Sequence, residues 1–258
     1  MLGDARSTSK AQEMKLFFPG TRGEIDARTR FHRMHSCLLV EGRVLIDCGA
    51  DWLGRVEQLR PDAIVLTHAH PDHVGGLKYG APCPVFATSD TWDRVKRYPI
   101  SEGNVVVPRQ EFLIASCRFE AFTVEHSLIA PAVGYRIRKG AVSIFYVPDL
   151  VRIHDCHEAL SGIAAYIGDG ASISRPLVRR RGKTLIGHAS VREQLDWCRA
   201  EKVERVVVTH CGSQIVAGQA DSVEAQISAL ARDRGITINI ARDGMEATIR
   251  RSGIHLRP

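Results

Sequence analysis

A layered α/β fold, with sheets stacked face to face and helices outside, is what the patterning of this chain predicts. Two strand-rich blocks are each followed by helical segments, and no Pro/Gly/Ser linker, repeat or low-complexity block divides them. The 258 residues are 44% hydrophobic and 25% charged. That suffices for a proper buried core and excludes disorder as the dominant state. One domain spanning residues 1–258 is expected, with residues 1–13 disordered.

The elements follow in order. Lys15–Phe18 (KLFF) is the first apolar run. Cys37–Val40 (CLLV) and Val44–Asp47 (VLID) flank a Glu41–Gly42 turn and read as a hairpin. Trp52–Leu59 carries helical spacing, and Ala63–Leu66 (AIVL) reads as a buried strand running into Thr67 and His68. Val85–Ala87, Val105–Val107, Phe119–Val124, Val133–Ile137 and Val142–Val147 are further strands. In the more helical second half, Ser190 and Glu193 form a capping box ahead of Val191–Ala200, where Val191, Leu195 and Cys198 recur at helical intervals. Arg205–Val208 is a strand leading into Thr209 and His210. A helix is expected over Ser222–Arg234, ended by Gly235. Ile236–Ile240 and Met245–Ile249 then read as a hairpin around Asp243–Gly244.

Composition narrows the class. The net charge is only +6, with 35 Lys and Arg against 29 Asp and Glu, too modest to support a nucleic-acid-binding role by itself. No stretch approaches the roughly 18 uninterrupted apolar residues of a membrane span, and the first fifteen residues lack a signal-like apolar region. The seven cysteines form no C-x-x-C pair, which argues against a disulfide framework and a Cys-rich zinc site. A cytoplasmic protein without membrane partners is expected.

The strongest feature is the run Thr67-His68-Ala69-His70-Pro71-Asp72-His73-Val74-Gly75-Gly76. Three imidazoles and a carboxylate fall within six residues directly after an apolar strand. Imidazole nitrogen and carboxylate oxygen suit a borderline divalent cation such as zinc. His68 and His70 can project to one side of an extended segment, while Asp72 and His73 point apart and can serve a neighbouring ion.

This segment resembles the signature of the metallo-β-lactamase superfamily. Its later ligands have counterparts here: His126 in Val124-Glu125-His126, Asp149 in Tyr146-Val147-Pro148-Asp149, and His210 in Val208-Thr209-His210. Asp47-Cys48-Gly49 also resembles the family's first hairpin exit. The resemblance implies an αββα sandwich of two mixed sheets and a hydrolase with two divalent metal ions. Zinc is expected, with manganese or iron as alternatives. It further implies that His68, His70 and His126 hold one ion, that Asp72, His73 and His210 hold the other, and that Asp149 bridges them beside an activated hydroxide. Asp72 and Asp149 thereby count as catalytic.

The pattern is most similar to the ribonuclease Z and phosphoribosyl cyclic phosphodiesterase branch. There a histidine like His188, in Gly187-His188-Ala189-Ser190, helps protonate the leaving oxygen. Where ribonuclease Z has a glutamate three positions before the bridging aspartate, this chain has Tyr146. Arg175, Arg179, Arg180, Arg181 and Lys183 crowd the segment before His188. Guanidinium prefers phosphate, so Arg175, Arg179 and Arg180 are taken as substrate contacts. The expected activity is hydrolysis of a cyclic or nucleotide-like phosphodiester or of nucleic acid. The alternative is a carbonyl substrate (lactone, thioester or β-lactam) at the same dinuclear site. A homodimer is expected from the habit of such relatives. His32, His154, His157 and His255 read as surface residues, and His35 as a neighbour of the site. Asp169 either orients a ligand or the His188 loop, or closes a simple turn.

Overall fold

The computed structural model describes residues 13–257. The expected disorder over residues 1–13 therefore lies outside the described residues except at Glu13, which opens the first strand. β1 (Glu13–Gly20), β2 (Cys37–Val40) and β3 (Val44–Ile46) form an antiparallel meander. β4 (Ala63–Val65), β5 (Val85–Thr88) and β6 (Gly103–Val106) extend it in parallel.

The chain then crosses to a second sheet, where β7 (Glu111–Ile114), β8 (Cys117–Glu125), β9 (Ala132–Lys139) and β10 (Val142–Tyr146) pair antiparallel. β11 (Arg152–Ile153) returns to β8, and β12 (Ala165–Asp169) joins β10 in parallel. β13 (Leu177–Arg181) and β14 (Thr184–His188) pair only with each other. β15 (Arg205–Thr209) and β16 (Thr237–Ile240) continue the second sheet in parallel. β17 (Met245–Arg250) and β18 (Gly253–Arg257) return to the first sheet against β1.

The two sheets pack face to face. Leu38, Val40, Ile46 and Val65 from the first meet Phe119, Tyr135, Ile144 and Ile167 from the second in one shared core. Alternation explains the layering: Cys37, Leu39 and Leu45 point from the same strands to the opposite face. Because both faces are covered, these strands read as unbroken apolar runs. The outer face of the first sheet is covered by α1 (Pro71–Val74) and α2 (Ser89–Val95) through Val74 and Val95, together with Trp52 and Val56. The second sheet is covered by α3 (Cys156–Leu160), α4 (Val191–Ala200), α5 (Ser213–Val216) and α6 (Ala220–Arg232). The result is the αββα sandwich of mixed sheets that the family resemblance implies. No helix of the described residues is long and apolar enough to cross a membrane.

Two sequence-based readings need correction. Trp52–Leu59 is not one helix: two short 3-10 turns, Ala50–Trp52 and Val56–Leu59, are separated by Gly54 at φ +69°, a left-handed residue that no helix continues through. Nor do residues 236–249 form a hairpin, because β16 pairs with β15 in the second sheet and β17 with β1 in the first. The Asp243–Gly244 turn is a crossing between sheets. The Asp243 carboxylate accepts the backbone N–H groups of Arg33 and Met34 at 2.7 and 2.9 Å, fastening the crossing to the loop before β2.

Candidate metal centre

The histidine-rich run begins just past β4 and turns at once into α1. His70 occupies the N-cap in an extended conformation, and Pro71 opens the helix where its missing N–H costs nothing. This single turn carries Asp72 and His73 back toward His68. The second sheet supplies the other side chains from the ends of its strands: His126 after β8, Asp149 after β10, Asp169 at the end of β12, and His210 after β15. His188 closes β14.

All seven expected ligands converge. Nε2 of His68 lies 3.0 Å from Nδ1 of His70, which lies 3.1 Å from Nε2 of His126. Asp149 Oδ2 approaches His68 Nε2 at 3.3 Å and His126 Nε2 at 3.7 Å. On the other side it lies 2.8 Å from His73 Nε2, and Asp72 Oδ2 lies 3.3 Å from that nitrogen and 3.1 Å from His210 Nε2. Asp149 thus stands between two groups, His68/His70/His126 and Asp72/His73/His210.

The donor set fits divalent cations. Three imidazole nitrogens roughly 3 Å apart match the edge of a coordination tetrahedron with metal–nitrogen bonds of about 2.0 Å. His73 Nε2, Asp149 Oδ1 and His210 Nδ1 are buried without a hydrogen-bond partner, although buried polar groups are ordinarily paired.

The outer ring nitrogens of His68, His73 and His126 are held by neighbours, and these set their tautomers. Asp47 is fully buried at φ +62°. Its carboxylate accepts Thr67 N–H, the Thr67 hydroxyl and His73 Nδ1–H, each at 2.8 Å. With its proton so committed, the Thr67 hydroxyl accepts from His68 Nδ1 at 3.0 Å. His126 Nδ1 donates to the Gly187 carbonyl at 3.0 Å. In His68, His73 and His126 this leaves Nε2 to face the common centre, whereas His70 presents Nδ1.

Charge completes the picture. Burial lowers the pKa of His68 and His126 and takes His70 down to about 4, so these rings are neutral donors. Burial works against the ionised carboxylates, but the surrounding imidazoles hold Asp72 and Asp149 well below the usual carboxylate range. Burial likewise opposes charge on His73 and His210, yet the carboxylates around them raise both, His210 to about 9. The field that favours a proton there equally favours a divalent cation.

His188 Nδ1 lies 2.8 Å from Asp169 Oδ2 and 3.2 Å from Asp149 Oδ1. Burial would lower its pKa, but Asp169 and then Asp149 push it up to about 11. Of the two readings of Asp169, the structure carries the first: the carboxylate orients His188 and also accepts Ala171 N–H at 2.8 Å. His70, Asp72, His126, Asp149, His188 and His210 open into a cavity of about 610 Å³ whose wall also includes Glu24, Leu177 and Gln214, while His68 and His73 lie fully buried beneath it.

Arg175, Arg179 and Arg180 are exposed and do not line this cavity. Arg179 and Arg180 sit on β13, and Arg175 just precedes it. His154, His157 and His255 are exposed as expected, but His32 is 6% exposed, packed beside Thr21. His35 is buried, its Nδ1 accepting Asp51 N–H at 3.1 Å behind the site. Glu24, at the cavity wall, carried no signal in the sequence. Asp47 did, as the D-C-G turn.

A family profile described as "Beta-lactamase superfamily domain" matches residues 42–211, the stretch that holds every one of these ligands. The chain belongs to the beta-lactamase superfamily. Among curated relatives, a ribonuclease Z from Methanopyrus kandleri is 31% identical over 146 residues, 49% of this chain and 50% of that protein. The chain thus spans about half the length of that relative. Among solved structures, the metallo-β-lactamase-fold protein YhfI from Bacillus subtilis superposes with a TM-score of 0.72 at 17% identity, covering 92% of this chain and 99% of that one. A diphosphatase of the PhnP family gives 0.66 at 21% identity, over 92% and 97%. At these identities the structural neighbours establish the superfamily fold alone.

Proposed function

We propose that this superfamily member is a metal-dependent hydrolase of phosphodiesters. The observation that carries the reading is the convergence of seven ligand-type side chains beside a carboxylate-oriented imidazole, at the floor of one cavity that His70, Asp72, His126, Asp149, His188 and His210 line. His68, His70 and His126 would hold one cation, Asp72, His73 and His210 the other, and Asp149 both; zinc suits the donors, as do manganese and iron. Two such cations lower the pKa of a shared water and neutralise charge building up on a phosphate.

The chain's own residues do the rest. Asp47 and Thr67 fix the rings that face the centre. Asp169 holds His188 Nδ1, leaving Nε2 to deliver a proton to a departing alkoxide. A diester leaving group needs that proton far more than a β-lactam carbonyl does at the addition step. The resemblance to ribonuclease Z and to a PhnP-family diphosphatase supports an anionic small-molecule or nucleic-acid substrate.

The test is turnover of bis(p-nitrophenyl) phosphate by protein loaded with zinc or manganese, beside p-nitrophenyl acetate and a β-lactam. Diester turnover above a chelated control is expected. Its absence with every metal, or faster turnover of the carbonyl substrates, overturns the reading.

A further inference from the structure

The β13–β14 hairpin belongs to neither sheet and carries the densest run of positive charge in the described chain: Arg179, Arg180, Arg181 and, past the Gly182 turn, Lys183. All four are exposed, and none forms an ion pair with any described residue. Several arginines elsewhere are balanced, though others stand singly on the surface without an acidic partner among the described residues. Arg109, Arg138, Arg152, Arg234 and Arg250 each pair with an aspartate or glutamate. Uncompensated like charges on so small a ribbon repel one another, and nothing within the described chain offsets the repulsion.

Register gives the charge a direction. Strand residues alternate between faces, so Leu177, Arg179 and Arg181 share one face and Arg180 takes the other. Leu177 lines the cavity and lies opposite His188 in the hairpin ladder. Arg179 and Arg181 therefore continue the cavity wall outward in single file. Alternate strand residues are about 6.7 Å apart, comparable with one phosphate-to-phosphate step of an extended polynucleotide.

We propose that this face is a track for the phosphates of single-stranded nucleic acid whose scissile diester lies in the cavity. Leu177, 54% exposed at the lip, offers an apolar rest for a base beside the first phosphate. Single strands fit and duplexes do not, because a cavity of about 610 Å³ is the size of a ligand of one or two nucleotides. The proposal rests on the phosphodiesterase reading for its cavity end, but its test is a binding measurement and separates the two.

The experiment measures the affinity of the metal-loaded protein for a fluorescent twelve-residue oligouridylate by anisotropy, across a salt series. The log–log salt slope should be negative, and Arg179→Ser/Arg181→Ser should flatten it by about 1.4, near 0.7 for each phosphate of a single strand that is no longer neutralised. Affinity at low salt should fall tenfold or more. Arg179→Lys/Arg181→Lys should keep most of the slope, which separates removal of charge from failure to fold. Arg180→Ser, on the opposite face, should cost less than either partner.

An unchanged slope in the double serine variant overturns the track. So does binding of uridine monophosphate as tight as that of the twelve-mer, which would mark a small-molecule site. Loss of diester turnover with an intact salt slope would strike the catalytic reading and leave the track standing.

Discussion

His188 and His73 are held by the same device at two places in the site. Asp47 accepts His73 Nδ1–H at 2.8 Å, and Asp169 accepts from His188 Nδ1 at 2.8 Å. The first ring presents Nε2 to the cation group and the second presents it to the cavity. Asp169→Asn keeps the side chain's shape and removes its charge. It should leave metal stoichiometry unchanged, lower kcat about 10- to 100-fold and hold KM within about twofold. His188→Ala should cost at least as much, and the double variant little more than His188→Ala alone, since both act through one proton. Losses that simply multiply would show that Asp169 does not act through His188.

His32 poses a separate question of stability. Its ring is packed away from water, and burial, aided by the Arg242 guanidinium, takes its pKa down to about 4. The folded value lies below the unfolded one of about 6.5. The stabilisation from keeping the ring neutral is therefore complete above about pH 6.5 and drains away as pH falls toward 4, roughly 3 kcal/mol in all. Urea unfolding of the wild type and His32→Asn near pH 7.5 and pH 4.5 should show the acid loss shrink by about that amount in the variant. Equal losses would remove His32 as the cause.

The ligands were legible in the sequence because four stand within six residues and the others sit at strand ends in a known order. Asp169 was only half legible. Its partner lies nineteen positions on, and only the fold shows that they meet.

At the level of elements, α1 is a single turn and cannot hold itself in place by its own hydrogen bonds. It is clamped from outside: Cys48 N–H donates to the His73 carbonyl at 2.7 Å, and Gly49 lies against the Asp72 backbone so closely that an added Cβ would sit 1.9 Å from its carbonyl oxygen. Neither partner is a flexible side chain, so the backbone itself must give way. Gly49→Ala should displace α1, lower the occupancy of the cation held by Asp72 and His73 before the other, and cost about 2–4 kcal/mol. Metal analysis and thermal melting read both effects, and full occupancy with an unshifted melt would refute the clamp.

Legibility at this scale followed the strength of each local signal. β2, β3, β4 and β10 are buried on both faces and showed as unbroken apolar runs, and α4 announced itself through the Ser190–Glu193 box. β13 was invisible because its exposed, charged residues carry no period-two apolar signal, and the half-buried β14 because Thr-Leu-Ile-Gly-His alternates no better. The crossing at Asp243 looked like a hairpin because two strands and an Asp-Gly turn have the same local pattern whether or not the strands pair.

Across the whole molecule, the ligands are divided between the sheets. His68, His70, Asp72 and His73 follow β4 of the first, while His126, Asp149 and His210 follow strands of the second. Cations held by both halves would fasten the sandwich at one rim, where the shared apolar core of Leu38, Ile46, Phe119 and Ile144 does not reach. Without them, buried carboxylates and imidazoles at that rim would have to be satisfied by protons or water.

Chelation should therefore lower the melting temperature of the whole protein in a single cooperative transition. Each ion present at a thousandfold excess over its dissociation constant stabilises by about 4 kcal/mol. For a chain of this size that corresponds to a shift on the order of 10 °C or more. Restoring zinc should restore the melt, and Asp149→Ala, which removes the ligand shared by both groups, should abolish most of the metal-dependent shift. Two separate transitions after chelation, or a melt indifferent to metal, would mean that the sheets are joined by their apolar faces alone and that the cation site contributes nothing to the architecture.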